Sequence, residues 1–230
     1  MSNLYLKEVT CPICSKKFKT PKIKQAGVKL IRRDEDFCGY YETYNPTFYG
    51  VYVCPNCGYS AFEGDFLQIN EMQKTIAKNR IMPKWKPRTF AEERSIDEAI
   101  LIHQLCLLTY NLIGQKKSDI AKVCLRLAWF YRMNENEERE RHFLTFALDN
   151  YKRAYDEEHL EENPDNQILI YYLIGEISRR LDNFKESIYW FHEALKLPHM
   201  KNKRKIEIQT RDQIILVKKQ AEKQKKEATE

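Results

Sequence analysis

Two short turns, Cys11-Pro12-Ile13-Cys14 and Cys54-Pro55-Asn56-Cys57-Gly58, constrain this chain more than any other feature in it. A Cys-x-x-Cys turn places two thiolates on one side of a tight loop, and two such turns complete the four soft ligands of a tetrahedral zinc ion. Gly58, just after the second pair, can take the positive φ that such a knuckle requires. A single copy would leave a redox pair open. Redox folds, however, place the motif at a helix start within a strand–helix–strand unit, and neither copy has that setting. The pattern predicts one structural zinc per chain, held by Cys11, Cys14, Cys54 and Cys57. Isolated finger peptides gain ~10–16 kcal/mol on binding such an ion, enough to fold a head with little core of its own.

The two pairs stand further apart than the ~15–20 residues of the familiar ribbon spacing, so residues 15–53 must form a structure of their own. Val28–Ile31 and Phe48–Val53 read as strands, rich in β-branched and aromatic residues. Between Phe37 and Tyr52 the insert carries Phe37, Tyr40, Tyr41, Tyr44, Phe48, Tyr49 and Tyr52. Two readings of these rings stand side by side. They form the core of a small sheet, or they form a stacking platform for single-stranded nucleic acid beside Lys16–Lys29 and Arg32-Arg33. The acidic run Asp34-Glu35-Asp36 next to the rings favours the core. Cys38 has no paired cysteine and reads as a non-ligand.

From Asp65 the texture becomes helical. Asp65 and Gln68 resemble a capping pair ahead of Phe66, Ile69, Met72 and Ile76 at helical spacing, and Pro83 and Pro87 then mark a linker. Ser95 with Glu98 starts a helix that Gly114 ends. Further helices are expected at about 118–133, 138–158, 167–181, 185–197 and 203–225. Tyr171-x-x-Ile174-Gly175 followed by Ser187-x-x-x-Phe191, Ala194 and Pro198 follows the tetratricopeptide pattern, in which small residues let helices approach closely. Leu127-Ala128-x-x-Tyr131 and Ala147 echo it, although Glu140 stands where a small residue is expected. The alternative is a plain antiparallel bundle. The division expected is a head at 1–64, a connecting helix and Pro-containing linker at 65–90, and a helical domain at 91–225.

No catalytic constellation stands out. The five histidines form no His-x-x-x-His pair, and there is no glycine-rich phosphate loop or nucleophile elbow. Cys106 and Cys124 lie in apolar helical stretches and read as packed hydrophobes. Residues 1–90 carry 15 Lys/Arg against 8 Asp/Glu and residues 91–200 carry 14 against 20, a mild bias that solvated faces explain. No stretch reaches the ~20 apolar residues of a membrane helix, and no apolar signal core follows the N-terminus. The expectation is a cytoplasmic protein, where reduced thiols serve as ligands or small hydrophobes.

The knuckles, the Tyr40–Tyr49 segment, Val53-Cys54-Pro55-x-Cys57-Gly58-Tyr59 and the helical Leu125-Arg126-Leu127-Ala128-Trp129 together resemble the bacterial domain-of-unknown-function family 2225. The resemblance covers about residues 4–200. It implies a bacterial cytoplasmic protein with tetratricopeptide-like helices, with the four cysteines as metal ligands and no activity carried over. The fold class expected is mainly α: a small zinc-bound, β-rich N-terminal head followed by antiparallel helix hairpins. The function expected is a non-catalytic scaffold or adaptor that takes a protein or peptide partner in its helical groove, with Tyr172 and Arg179 lining it. The alternatives are a single-stranded nucleic-acid module in the head and an enzyme whose site lies between head and tail. No membrane partner is expected.

Overall fold

A computed structural model describes residues 3–90 and 92–227 of the chain. The head is three separate antiparallel hairpins: β1 (Leu4–Thr10) with β2 (Lys17–Ile23), β3 (Leu30–Arg33) with β4 (Gly39–Tyr41), and β5 (Val51–Val53) with β6 (Ser60–Phe62). None is wide enough to bury a face alone, since two-stranded ribbons are marginal in water. The first and third share Phe66 instead, a ring with 1% exposure that meets Phe18, Tyr52 and Tyr59 at 5.0–5.9 Å.

The strand expected at Phe48–Val53 is shorter. Asn45 caps a 3-10 turn over Pro46–Tyr49, its side chain accepting from the Thr47 N–H, so only Val51–Val53 is extended. All three of those residues are buried, so both faces of the strand are covered. The strand expected at Val28–Ile31 lies two residues later, at Leu30–Arg33, and is exposed throughout.

Seven α-helices follow among the described residues: α1 (Glu71–Arg80), α2 (Ile96–Ile113), α3 (Lys117–Met133), α4 (Glu137–Glu157), α5 (Pro164–Arg180), α6 (Phe184–Lys196) and α7 (Arg204–Glu227). The α1 cap is not the Asp65–Gln68 pair. Asn70 and Gln73 form the reciprocal capping box, while Asp65 accepts a 2.6 Å hydrogen bond from the Tyr110 hydroxyl. Ser95 caps α2, and Gly114, at φ 65°, closes it in the left-handed conformation that glycine tolerates. Asn163 caps α5 with Pro164 in its first turn, so the Asn-Pro-Asp run opens that helix, three residues before the start expected at 167. The α3 N-terminus borrows its cap from the far end of α4. Glu158 accepts from both the backbone N–H and the hydroxyl of Ser118, at 2.8 and 2.7 Å.

Helices α3/α4 and α5/α6 pack as antiparallel hairpins, and α7 lies against α6. Gly175 on α5 makes the second hairpin close. A Cβ there would stand 2.7 Å from the Phe191 ring, inside contact distance. Gly175, Ser178, Ser187, Phe191 and Ala194 are all buried, as the small-residue pattern predicts. By length and composition α2 could cross a membrane, with 44% of it buried here; it packs against α1, α3, β5 and β6. One apolar cluster runs from Val9 in the head to Val217 on α7.

Candidate metal centre and the head–helix seam

The first knuckle sits at the tip of the β1–β2 hairpin and the second at the tip of β5–β6. Their backbones match. In the first, Cys11 N–H donates to the Lys16 carbonyl and Ser15 N–H to Cys11; in the second, Cys54 N–H donates to Tyr59 and Gly58 N–H to Cys54. Both turn through a positive φ after the second cysteine, Ser15 at 57° and Gly58 at 77°. Glycine is required at position 58 for a second reason. The Trp85 ring occupies the space of a Cβ, at 2.5 Å, and its indole N–H donates to the Pro55 carbonyl at 2.9 Å. The segment after α1 thus wraps the second knuckle.

The four sulfurs converge within 4.8 Å of one another. Cys11 Sγ lies 3.6 Å from Cys57 Sγ, and Cys14 Sγ lies 3.6 Å from Cys54 Sγ. A tetrahedral ion with metal–sulfur bonds of ~2.3 Å spaces its ligand sulfurs about 3.8 Å apart, whereas a disulfide needs ~2.05 Å. The spacing therefore fits a metal and excludes disulfides. The sulfurs also compete for protons. Hydrogen bonds from Cys11 and Cys57 pull the Cys54 thiol down, while Cys11, facing Cys54, is pushed up. A cation resolves that competition, because a bound metal holds all four as thiolates. Cys38 stays outside the cluster, fully buried, with burial and then Asp36 pushing its thiol up to about 12. Cys106 and Cys124 are packed, at 0% and 2% exposure.

The acidic run that disfavoured a nucleic-acid platform is the most heavily held part of the head. Asp36 is completely buried in the helices. Arg132 on α3 donates to both its carboxylate oxygens, at 3.1 and 2.6 Å, and also to Asp34 at 2.9 Å. The Trp129 indole N–H donates to Asp36 at 3.1 Å, and Arg180 on α5 approaches to 3.5 Å. Burial alone would raise the Asp36 carboxyl, but Arg132 and Arg180 outweigh it and hold it below the ordinary carboxylate value. Glu140, out of place for a repeat, accepts from Arg132 Nε at 2.7 Å and completes the partners of that guanidinium. The neighbouring Glu35 carbonyl accepts from the Tyr172 hydroxyl and from Gln209 on α7, at 2.8 and 3.2 Å.

Tyr172 therefore does not line an open groove. It is fully buried, its ring against Phe37 and Phe191, because the head's own loop fills the space in front of it. Arg179 is likewise engaged, paired with the buried Glu176 and bonded to Gln220. In the insert, Tyr49 and Tyr52 are buried and Tyr40, Tyr41, Tyr44 and Phe48 half-buried, and Lys17, Lys22, Lys29 and Arg32 each pair with a carboxylate. The sequence reading missed Asp36, Trp129, Arg132 and Arg180 as a unit. Their only signal was an acidic triplet in the head and arginines on otherwise apolar helix faces.

Residues 4–217 match the model of a family described as "Uncharacterized protein conserved in bacteria (DUF2225)". The chain belongs to this family. An uncharacterized protein of Borreliella burgdorferi is 25% identical over 154 residues, covering 59% of this chain and 55% of the relative. The chain thus spans about half the length of that curated relative. No solved structure matches significantly. Within the family match fall all four knuckle cysteines, the acidic loop and the arginines that hold it.

Proposed function

We propose that this family member is a non-catalytic, zinc-braced scaffold whose helical hairpins hold a protein partner in the bacterial cytoplasm. Zinc is a metal that four tetrahedral thiolates suit, and four protein ligands leave no open position for a substrate. The observation that carries the scaffold reading is the seat of residues 34–37. Helices α3, α5 and α7 grip this acidic, irregular segment through Arg132, Arg180, Tyr172 and Gln209, in the way repeat proteins grip a peptide. In this reading the loop is a built-in occupant, and a partner's acidic, aromatic segment competes for the same arginines.

Two experiments test it. Cobalt substituted into the site is to give the charge-transfer bands of a four-thiolate ion, unmoved by cyanide or azide; a shift on adding either would mean an open position. For the partner, tagged full-length protein is cross-linked in its host and recovered, alongside Asp36→Asn, which loosens the built-in occupant. Specific capture is expected to rise in the variant. If both chains recover only what bare resin recovers, the scaffold reading falls.

A further inference from the structure

A second site, independent of the scaffold reading, lies between α3, α4, α5 and Phe37. Here a cavity of about 330 Å³ is lined by Lys122 and Arg126 of α3, Tyr151 of α4, and Leu169 and Leu173 of α5. That size is within the usual range for small-molecule sites. What sets it apart is Arg126. Six residues along the same helix, Arg132 is answered by three carboxylates. Arg126 is answered by none. Its Nη1 is buried without a hydrogen-bond partner, and among the described residues no hydrogen bond or ion pair reaches any of its nitrogens. The face of the Phe62 ring lies 4.4 Å from its guanidinium carbon, and Nη1 packs against Gly50 of the head. Burial pushes its pKa down, yet arginine stays cationic in proteins. A desolvated guanidinium left like this is strongly unfavourable unless an anion completes it.

A second cation, solvent-exposed, stands at the mouth. Lys122, one turn earlier, also sits over the Phe62 ring, at 4.8 Å, with no carboxylate at ion-pair distance among the described residues. The Tyr151 hydroxyl makes no hydrogen bond among them either. Against these two cations the wall offers two acids. Asp36 is already matched by Arg132 and Arg180. Asp119 accepts from Gln115, and burial raises its carboxyl. One positive charge is left over. Apart from Ser118 and Asn166, the rest of the lining is apolar: Phe37, Trp129, Leu125, Ile170 and the two α5 leucines.

We propose that this cavity binds a small organic monocarboxylate with an apolar or aromatic body, its carboxylate taken by Arg126, Lys122 and the Tyr151 hydroxyl. Guanidinium matches a carboxylate in two parallel hydrogen bonds, and the apolar wall takes the body. A dianion would oppose Asp119 and exceed the charge available.

The test is calorimetric titration of the full, metal-loaded chain with octanoate and indole-3-acetate, against indole-3-acetamide and inorganic phosphate. The carboxylates are expected to bind at least tenfold more tightly than the amide and than phosphate, since charge-assisted hydrogen bonds roughly double neutral ones. Arg126→Gln is expected to lose tenfold or more in carboxylate affinity with metal content unchanged and the unliganded melting midpoint no lower, because an unanswered charge has been removed. Carboxylates binding no better than the amide, phosphate binding more tightly, or Arg126→Gln binding like the wild type would each overturn the proposal. If Arg126→Gln yields no folded protein, Tyr151→Phe keeps the ring and removes only the hydroxyl; it is expected to weaken binding about three- to tenfold, and an unchanged affinity overturns the site.

Discussion

The head and the tail solve the same problem by different physics. The tail has length: six helices, α2–α7, bury aliphatic and aromatic faces against each other, and small residues such as Gly175 let the axes approach. The head has three ribbons of two strands each and little to bury. It makes up the deficit with a cluster of four cysteines fit to hold a metal at one end and a bundle of ion pairs at the other. One half is held by many weak, interchangeable contacts, the other by a few strong, specific ones. Damage should therefore be graded in the tail and abrupt in the head.

The largest expected effect is at the knuckles. Cys54→Ser removes one of four ligands and is expected to release the metal and unfold the head while α3–α7 stay helical. Native mass spectrometry reads the metal and far-UV circular dichroism the helices; a metal-free head that keeps its proteolytic resistance would erase the contrast. Next comes the seam. Asp36→Asn leaves Arg132 and Arg180 facing a neutral amide in a fully buried site, and breaking a buried pair in this way costs about 3–5 kcal/mol. Chemical denaturation should show the loss as a separate early transition of the head.

In the tail the effects shrink. Gly175→Ala brings a Cβ to 2.7 Å from the Phe191 ring and is expected to cost about 1–3 kcal/mol by overpacking. It should lower the midpoint of a single helical transition without touching metal content. The smallest effect is acid dependence at the head surface. Lys22, Tyr52 and Lys7 overcome burial and hold Glu63 down at about 2. A carboxyl lowered in the folded state contributes fully above its unfolded value of about 4.3, and that contribution fades as pH falls from there toward 2. The difference in stability between wild type and Glu63→Gln should therefore narrow in that window; a constant difference down to pH 2 would show that the pairs are idle.

What was legible in the sequence follows the same division. The Cys-x-x-Cys turns, the positive φ at Gly58, and the α2 cap and stop at Ser95 and Gly114 are local signals, each set by residues within a turn or two, and the close approach at Gly175 spans only one helix hairpin. The strand at Val51–Val53 was overestimated because the aromatic run before it was read as extended, whereas Asn45 and Pro46 start a turn there. The seam was illegible for another reason. Asp36 is 93 residues from Trp129, and Glu35 is 174 from Gln209; no spacing rule connects partners that far apart. Tyr172 and Arg179 were expected to line a partner groove, yet both face groups of this chain, Arg179 meeting Glu176 and Gln220. What Tyr172 meets is the chain's own loop.

The long reach of that loop also orders events during synthesis. The knuckle cysteines and Asp36 leave the ribosome well before Arg132, Arg180 and Gln209 are made, so the head has nothing to dock on while it emerges. Closing so large a loop carries an entropic toll that only a finished helical face can offset. The metal site needs no such wait, because all four of its ligands lie within the first 57 residues. A nascent chain stalled after Phe66 should already capture its ion, and one stalled before α5 should hold the ion yet leave residues 34–37 open to protease.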